Sequence, residues 1–310
     1  MKYKRDDFFE KRIAVAVSGG ADSMALLHMC RDLDATVLHV DHGLRAAAKK
    51  DSAFVAAAAK ELNLSCVILQ WTGKKPKTGV EAAARDARYD LLLKWCRDND
   101  VGHLFVAHNA DDQIETFLMN LGRGSGVYGL AAMPDSQSRR GVTVVRPLLD
   151  TPRRDLEKYC ADNGIKFIHD EMNDDENFTR VKIRKNRHVL CDRLGISDER
   201  ILTAIENLGR VRDMLEDNVG GLVKDVLAGG RAKFSESRLS GMPDELRLKF
   251  LSRLFQILGN TAYGPRLEKI ARADYMLQSD CKFTINNCIV RRLKDKILIA
   301  PEGSSSSFRK

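Results

Sequence analysis

The chain has 310 residues, of which 44% are hydrophobic and 30% are charged, and its formal net charge is +8. This composition excludes disordered, collagen-like and coiled-coil chains, and the length is enough for about two domains. The positive charge favours a polyanionic partner such as nucleic acid or a nucleotide.

The cysteines and the N-terminus predict a cytoplasmic protein that does not associate with a membrane. The seven cysteines include no C-x-x-C pair, which argues against a disulfide framework, a zinc ribbon or an iron–sulfur site. The N-terminal segment is charged and lacks the apolar region of a signal peptide. No apolar stretch reaches the ~18 residues that a membrane span needs.

Short apolar runs alternate with longer amphipathic segments in the first half of the chain. The predicted strands are residues 13–17, 36–40, 66–69, 104–107 and 143–146. The predicted helices are residues 23–32, 49–63, 80–99, 111–121 and 152–163. This alternation predicts an α/β fold built on a doubly wound parallel sheet, with helices on both faces. Ligands of such sheets bind at the carboxyl ends of the strands.

The second half of the chain has a different pattern. A charged helix is predicted over residues 198–226, and Gly229 and Gly230 interrupt the pattern after it. Further helices are predicted at 244–258 and 265–277, and strands at 282–285, 288–293 and 296–299. We therefore expect two domains, residues 1–215 and a second, smaller α+β domain over residues 216–310.

A loop with two glycines joins the first predicted strand to the first predicted helix. Its residues are Ser18-Gly19-Gly20-Ala21-Asp22-Ser23. Backbone N–H groups at such a turn and the positive end of the helix dipole favour a phosphate group, and Asp22 would help to hold Mg²⁺ beside it. The loop is not a Walker A motif. The alternative is a plain turn in which Asp22 or Ser23 caps the helix.

This loop resembles the S-G-G-x-D-S signature of the PP-loop ATP pyrophosphatases, whose fold is similar to the adenine nucleotide alpha hydrolases. The resemblance implies that ATP and Mg²⁺ are cofactors, that Asp22 is catalytic and a metal ligand, and that residues 18–23 bind nucleotide. Enzymes of this class typically cleave ATP between the α- and β-phosphates and adenylate a carbonyl oxygen, which a nucleophile then displaces.

Further motifs resemble those of the tRNA(Ile)-lysidine synthetase family, in that family's order and at similar spacing. They are residues 40–45, 79–89, 107–116, 123–126 and 146–149. The resemblance is strong over about residues 12–190. It implies that free L-lysine replaces the carbonyl oxygen of the wobble cytidine in a tRNA(Ile) with a CAU anticodon, through an adenylated cytidine. Pyrophosphate and then AMP would leave, and decoding would change from methionine to isoleucine.

Three residues near the end of the fourth predicted strand are candidates for the lysine pocket and for proton transfer. Asp112 and Glu115 lie three residues apart, so they share one helix face. The resemblance assigns both to the lysine pocket, whereas two acids in a first helical turn can also be simple partners of the helix dipole. His108 is a candidate for contact with the nucleotide or for proton transfer, although a lone histidine is more often structural.

Arginines supply the candidate contacts to phosphate. Arg85 and Arg88 lie three residues apart on one predicted helix, and Arg88 matches the family's arginine at the reaction centre. The alternative for this pair is a solvated helix face. Arg123 stands in a glycine-flanked loop that also suits a phosphate.

Residues 179–193 form a basic run that suits RNA phosphates or a solvated helix surface. The basic residues are Arg180, Lys182, Arg184, Lys185, Arg187 and Arg193. The resemblance places Arg184 near the active site as a catalytic residue. Met172 and Val181 depart from the family pattern, in which Ser and Asn are usual, while Asn173 keeps its place.

The C-terminal strands carry Arg291, Arg292, Lys294 and Lys296, which suit either a tRNA stem or a solvated sheet face. The chain resembles the short form of the family, and the sequence leaves a homodimer open. A tRNA thiolase of the same superfamily is the main enzymatic alternative, with Cys30, Cys96 or Cys191 as its candidate sulfur carriers. A catalytically silent RNA-binding module is the other alternative.

Overall fold

The computed structural model describes residues 11–43, 48–73, 80–169, 179–261, 264–279 and 282–303. Leu44, Arg45, Met172 and Asn173, named above, lie outside these residues. The chain divides into two compact units, Met1–Gly209 and Arg210–Lys310, with the border inside one long helix. The functional boundary near residue 215 stays a prediction.

In the first unit, strands and helices alternate as the apolar pattern predicts. The strands are β1 Ile13–Ala16, β2 Ala35–Asp41, β3 Ser65–Gln70, β4 His103–Phe105, β5 Ser136–Arg139 and β6 Val142–Val145. The helices are α1 Ala21–Met29, α2 Ala48–Glu61, α3 Val80–Asp98, α4 Ala110–Leu121, α5 Val127–Leu130, α6 Arg153–Asp162, α7 Thr179–Asn186 and α8 His188–Leu194. The long helix α9, Asp198–Val226, follows them.

The six strands form one sheet in the order β3-β2-β1-β4-β6-β5. Neighbouring strands are parallel except β5, which pairs with β6 in the antiparallel direction. The doubly wound sheet is therefore confirmed, with an antiparallel edge strand added. The sequence did not predict β5 because its segment Ser-Gln-Ser-Arg has no apolar residue.

Side chains of β1 alternate between two cores, one on each face of the sheet. Ile13 and Val15 pack with residues of α1, α2 and α6. Ala14 packs on the other face with residues of α3 such as Tyr89 and Leu92. Helices therefore cover both faces, and the carboxyl edge of the sheet is where loops can form a site.

The second unit is an α+β module with its own core. Its strands are β7 Leu227–Ala228, β8 Arg231–Ser235, β9 Lys282–Ile285, β10 Cys288–Leu293 and β11 Lys296–Pro301, and its helices are α10 Glu236–Ser240, α11 Asp244–Leu258 and α12 Leu267–Leu277. The antiparallel sheet has the order β7-β8-β11-β10-β9. Gly229 and Gly230 do interrupt the helical pattern, but they form the turn of a β7–β8 hairpin, with φ of +56° and +71°.

No helix in the part of the chain that the structure describes is long and apolar enough to cross a membrane.

Candidate active site

The candidate site lies where the strand order of the sheet reverses. The chain places β2 and β3 on one side of β1 and then returns to place β4 and β6 on the other. Crossovers on opposite sides leave a crevice above β1 and β4, where doubly wound sheets bind their ligands. The loop Ser18–Ser23 follows β1, and His108 to Asp112 follow β4, so the two predicted clusters share this crevice.

The Ser23 hydroxyl fixes the shape of the phosphate loop. Its Oγ accepts hydrogen bonds from the N–H groups of Ser18 and Gly19 at 3.2 and 3.1 Å and donates one to the carbonyl of Gly20 at 2.9 Å. Gly20 is the N-cap of α1 and no side chain caps the helix. The alternative in which Asp22 or Ser23 is the cap is therefore wrong, and the helix N-terminus is open to an anion.

Gly19 adopts a backbone conformation that other residues rarely adopt, with φ of +98°. The Ile168 N–H donates to the Gly19 carbonyl at 2.9 Å, and a Cβ added at Gly19 would lie 2.8 Å from Ile168 Cδ1. The segment after α6 thus packs directly against the phosphate loop. At Gly20 φ is −73°, and the nearest atom to an added Cβ is 3.8 Å away.

We expect Gly19→Ala to lower the free energy of unfolding by about 1–3 kcal/mol, because it adds a positive-φ strain and a steric contact. Gly20→Ala is the matched control, since its position has neither feature, and it should change the stability by less than about 1 kcal/mol. Urea unfolding of the unchanged protein and of the two variants measures both changes in stability. Equal stability of the two variants would contradict the described loop conformation.

The two carboxylate oxygens of Asp22 have different surroundings. Its Oδ2 lies 3.6 Å from Arg153 Nη2, whereas Oδ1 is buried with no hydrogen-bond partner among the described residues. Burial is the main cause that raises the pKa of Asp22 to about 6, and the nearby charge of Asp112 adds to the effect. A cation bound at Oδ1 would offset the free-energy cost of burying the charged carboxylate.

The residues present fit Mg²⁺ at this position. Among the described residues no three His, Cys, Asp or Glu side chains form a metal-binding group. Mg²⁺ is commonly held by one or two carboxylates together with substrate phosphates, so a single free carboxylate oxygen beside a phosphate loop suits it. Asp22 Oδ1 is that oxygen.

Asp112 begins helix α4 as part of a capping box. Asn109 Oδ1 accepts from the Asp112 N–H at 3.0 Å, and Asp112 Oδ2 accepts from the Asn109 N–H at 3.1 Å. One oxygen of Asp112 therefore stabilises the N-terminus of α4, as the alternative interpretation predicted. Its charge also acts on Asp22, Arg88 and Arg184, so Asp112 lies among the other candidate residues.

Glu115 is fully buried and already holds an arginine. Its Oε1 accepts from Arg184 Nε at 2.7 Å, while Oε2 is buried without a partner among the described residues. The simple helix-dipole interpretation does not account for a buried carboxylate with one engaged and one free oxygen. Oε2 keeps its capacity to accept a hydrogen bond, and the ion pair brings the predicted Arg184 to the site.

The basic run of residues 179–193 is only in part a solvated surface. Besides Arg184, Arg187 binds α4, since its Nη2 lies 2.5 Å from Asp111 Oδ1. The exposed members are Lys182, Lys185 and Arg193. Val181, which departs from the family pattern, is a buried core residue. The run therefore serves to attach α7 to α4 and also presents cations.

His108 lies in a strongly positive environment. Burial is the main cause that lowers its pKa well below the ordinary 6.5, and four arginines, Arg146, Arg85, Arg88 and Arg180, lower it further. Its Nδ1 is buried without a hydrogen-bond partner among the described residues. His108 is therefore a neutral imidazole with one nitrogen free to bind a ligand.

We expect the His108 ring to stay neutral over the range of about pH 5 to 8 in which an ordinary histidine titrates. Burial and the positive neighbours both disfavour the imidazolium, so both lower the pKa of His108. An NMR titration of imidazole resonances, assigned with the His108→Asn variant, measures this. A midpoint near 6.5 for His108 would contradict the described surroundings.

Arg85 and Arg88 are half-buried and lie against an aromatic ring rather than on a solvated face. Their Cζ atoms lie 5.6 and 5.8 Å from the centre of the Tyr89 ring. Burial lowers the pKa of Arg88, and the neighbouring Arg85 and Arg180 lower it further. Arg123 is exposed in the turn after α4.

The sequence did not assign a role to three residues that shape the site. Arg153 balances Asp22, Asn109 caps α4, and Arg146 is a buried arginine at the end of β6. Asn109 and Arg146 stand in the quoted motifs. The partner of Asn109 is the nearby Asp112, whereas Arg146 donates to Pro134, which precedes strand β5. The position of Arg146 at a carboxyl strand end was the one signal available for it.

In the second unit, Arg292 is held by contacts of its own. Its Nη2 lies 2.6 Å from Glu236 Oε2, and its Nη1 donates to the Leu277 carbonyl at 3.1 Å. Lys294 and Lys296 are exposed. A role of this sheet face in RNA binding stays a prediction, now with less support from Arg292.

Comparisons with known proteins identify the class that this fold and loop define. A family model described as a PP-loop domain matches residues 2–190, so the chain is an ATP-using protein of the PP-loop class. Among solved structures, the U34-tRNA thiolase NcsA from Methanococcus maripaludis with its [4Fe-4S] cluster has a TM-score of 0.58. It is 17% identical over 67% of this chain and 76% of that chain, which shows a shared fold alone.

Curated relatives give the particular family. The tRNA(Ile)-lysidine synthase of Wolbachia sp. subsp. Brugia malayi is 35% identical over 96% of this chain and 72% of its own length. The tRNA(Ile)-lysidine synthase of Rhodopseudomonas palustris is 34% identical over 93% of this chain and 90% of its own length. The chain belongs to the tRNA(Ile)-lysidine synthase family.

Proposed function

We propose that the protein joins free lysine to the wobble cytidine of a tRNA(Ile) with a CAU anticodon and converts ATP to AMP and pyrophosphate. Family membership supports the lysidine-forming activity. One observation carries the residue assignment. The open phosphate loop, in which Asp22 Oδ1 has no partner among the described residues, lies beside the charged group of Asp112, Glu115 and Arg184.

In the first proposed step, the carbonyl oxygen of cytosine bonds to the α-phosphorus of ATP and the bond to pyrophosphate breaks. The N–H groups of the phosphate loop and the dipole of α1 would bind the phosphates, and Arg88 would offset charge that develops on them. Mg²⁺, when bound, neutralises phosphate charge, and Asp22 would hold it. His108 is neutral, so it suits a hydrogen bond to the nucleotide better than proton abstraction.

In the second proposed step, the ε-amine nitrogen of lysine bonds to the activated ring carbon. The ammonium of lysine first gives up one proton to solvent, which frees the lone pair of the amine. The bond between that carbon and the oxygen then breaks, AMP leaves with the oxygen, and the nitrogen gives a second proton to solvent. Glu115 Oε2 and the free oxygen of Asp112 would bind the lysine amine and orient it. We also propose a cytoplasmic location for this reaction.

The alternatives differ in the nucleophile and are separated by counting products. With tRNA, ATP and lysine, we expect one AMP and one pyrophosphate for each lysine bound to RNA. A thiolase would release pyrophosphate without consuming lysine, and a silent RNA-binding module would release none. The relatives favour the lysidine-forming activity over the thiolase.

A further inference from the structure

Four arginine side chains converge beside Tyr89, next to the candidate active site. The Cζ atoms of Arg85, Arg88 and Arg139 lie 5.6, 5.8 and 4.8 Å from the Tyr89 ring centre. Arg146 is near enough to these residues for their charges to act on it. Burial is the main cause that lowers the pKa of Arg146, Tyr89 opposes the shift, and Arg139 and Arg85 add to it. We call Arg85, Arg139 and Arg146 the Tyr89 arginine cluster. Arg88 is left out because the proposed function assigns it to the phosphates of ATP.

Arg146 is a buried cation, and no carboxylate in the part of the chain that the structure describes pairs with it. It is 2% exposed, its Nη1 donates to the Pro134 carbonyl at 2.8 Å, and its Nε is buried without a partner among the described residues. Burying a guanidinium without a carboxylate is costly. Buried ionisable groups of this kind are concentrated at functional sites, and an anion beside Arg146 in the functional complex would offset the free-energy cost.

Arg85 and Arg139 also have no carboxylate partner among the described residues. The Nε of Arg139 donates to the Gln137 side-chain oxygen at 3.1 Å, which is a neutral acceptor. Arg140, the next residue in the chain, does pair with a carboxylate, as its Nη1 lies 2.7 Å from Asp90 Oδ1. The two half-buried members, Arg85 and Arg139, reach the surface, so an anion from solution can reach them.

The cluster does not coincide with the phosphate loop. The loop follows β1, whereas Arg146 follows β6, and β4 lies between these strands. Two strand spacings separate the positions by roughly 10 Å in the plane of the sheet. One nucleotide phosphate group at the loop therefore leaves the cluster free for a second anion.

We propose that the Tyr89 arginine cluster binds a backbone phosphodiester of the RNA strand that carries the target base. This inference rests on the proposed function for its choice of RNA. Arginine is suited to this task because its planar fork matches phosphate oxygens and its charge survives burial. Phosphate contacts of this kind fix the position of the strand without reading its sequence.

The test is the salt dependence of binding for a tRNA(Ile) transcript with a CAU anticodon. We expect Arg139→Met to weaken binding and to reduce the slope of log affinity against log salt by about 0.7–0.9, the value for one lost phosphate contact. Arg139→Lys should keep most of the slope. Arg140→Met is the matched control, because its charge is paired with Asp90, and it should keep the slope of the unchanged protein.

Two outcomes would overturn the proposal. If Arg139→Met weakens binding of ATP or inorganic pyrophosphate and leaves the RNA slope unchanged, the cluster serves the nucleotide. If Arg139→Met changes neither the binding of ATP or pyrophosphate nor the RNA slope, the cluster binds no phosphate. Melting temperatures identify loss of folding, and Arg85→Met then replaces Arg139→Met. The assay uses neither lysine nor turnover, so an RNA slope that responds to Arg139 without lysidine formation would refute the proposed function alone.

Discussion

Replacement of Asp22 by asparagine is expected to reduce tRNA-dependent pyrophosphate release by a factor of at least about 10². Asparagine keeps the shape of the side chain but removes the negative charge at Oδ1, the buried oxygen without a partner. On the proposed assignment, the phosphates of ATP would then lose the cation that Asp22 would hold beside them. Release of labelled pyrophosphate from ATP in the presence of the tRNA transcript measures the effect.

The fold should tolerate this change. The pKa of Asp22 in the folded protein is about 6, above the ordinary value of 3.8, so folding disfavours its charged form. At neutral pH the neutral asparagine should leave the stability unchanged or increase it. Asp155→Asn is the control, because Asp155 is an exposed acid on α6 that pairs with Arg154. An Asp22→Asn protein that keeps the rate of this control would contradict the assigned role.

Replacement of Glu115 by glutamine is expected to raise the lysine concentration for half-maximal transfer by about 10- to 100-fold. A hydrogen bond between an ammonium and a buried carboxylate contributes about 1.5–3 kcal/mol, and Oε2 is the free oxygen that would accept it. Pyrophosphate release should change much less, because adenylation precedes the attack of lysine. Pyrophosphate release and lysine transfer are measured in parallel at several lysine concentrations. The two effects of the substitution are then compared.

Glu115→Gln also lowers the stability of the fold. Its control must therefore separate loss of stability from loss of lysine binding. Glutamine weakens the contact with Arg184, so we expect a lower melting temperature, and glutamine is used since alanine would leave Arg184 unpaired. Asp111→Asn is the matched control, because Asp111 also binds an arginine of the same basic run, Arg187. It should lower stability without a change in lysine dependence. Equal loss of both reaction steps in Glu115→Gln would count against a lysine pocket.

The apolar pattern of the sequence was sufficient to predict most of the first unit. Alternation along β1 divides Ile13 and Val15 from Ala14, and each set packs in its own core. Such local periodicity is readable because it depends on neighbouring residues alone. The edge strand β5 lacks it, since both of its faces are polar, and only pairing with β6 makes it a strand.

The motif residues were predictable as a group, whereas their pairings were not. Asp22 and Arg153 are far apart in sequence, and so are Glu115 and Arg184, so no local spacing joins either pair. Arg146 looks like an ordinary strand-end cation until its burial is known. The electrostatics of the site depend on how helices and strands meet, and this information enters only with the tertiary structure.

Transfer of labelled lysine to tRNA is the most direct test of the proposed function. The measurement uses a tRNA(Ile) transcript with a CAU anticodon and the same transcript with a GAU anticodon, each with and without ATP. We predict ATP-dependent label in the CAU transcript alone, in a nucleoside that has the mass of cytidine plus lysine minus water. Pyrophosphate release without bound lysine, or equal labelling of both transcripts, would contradict the assignment.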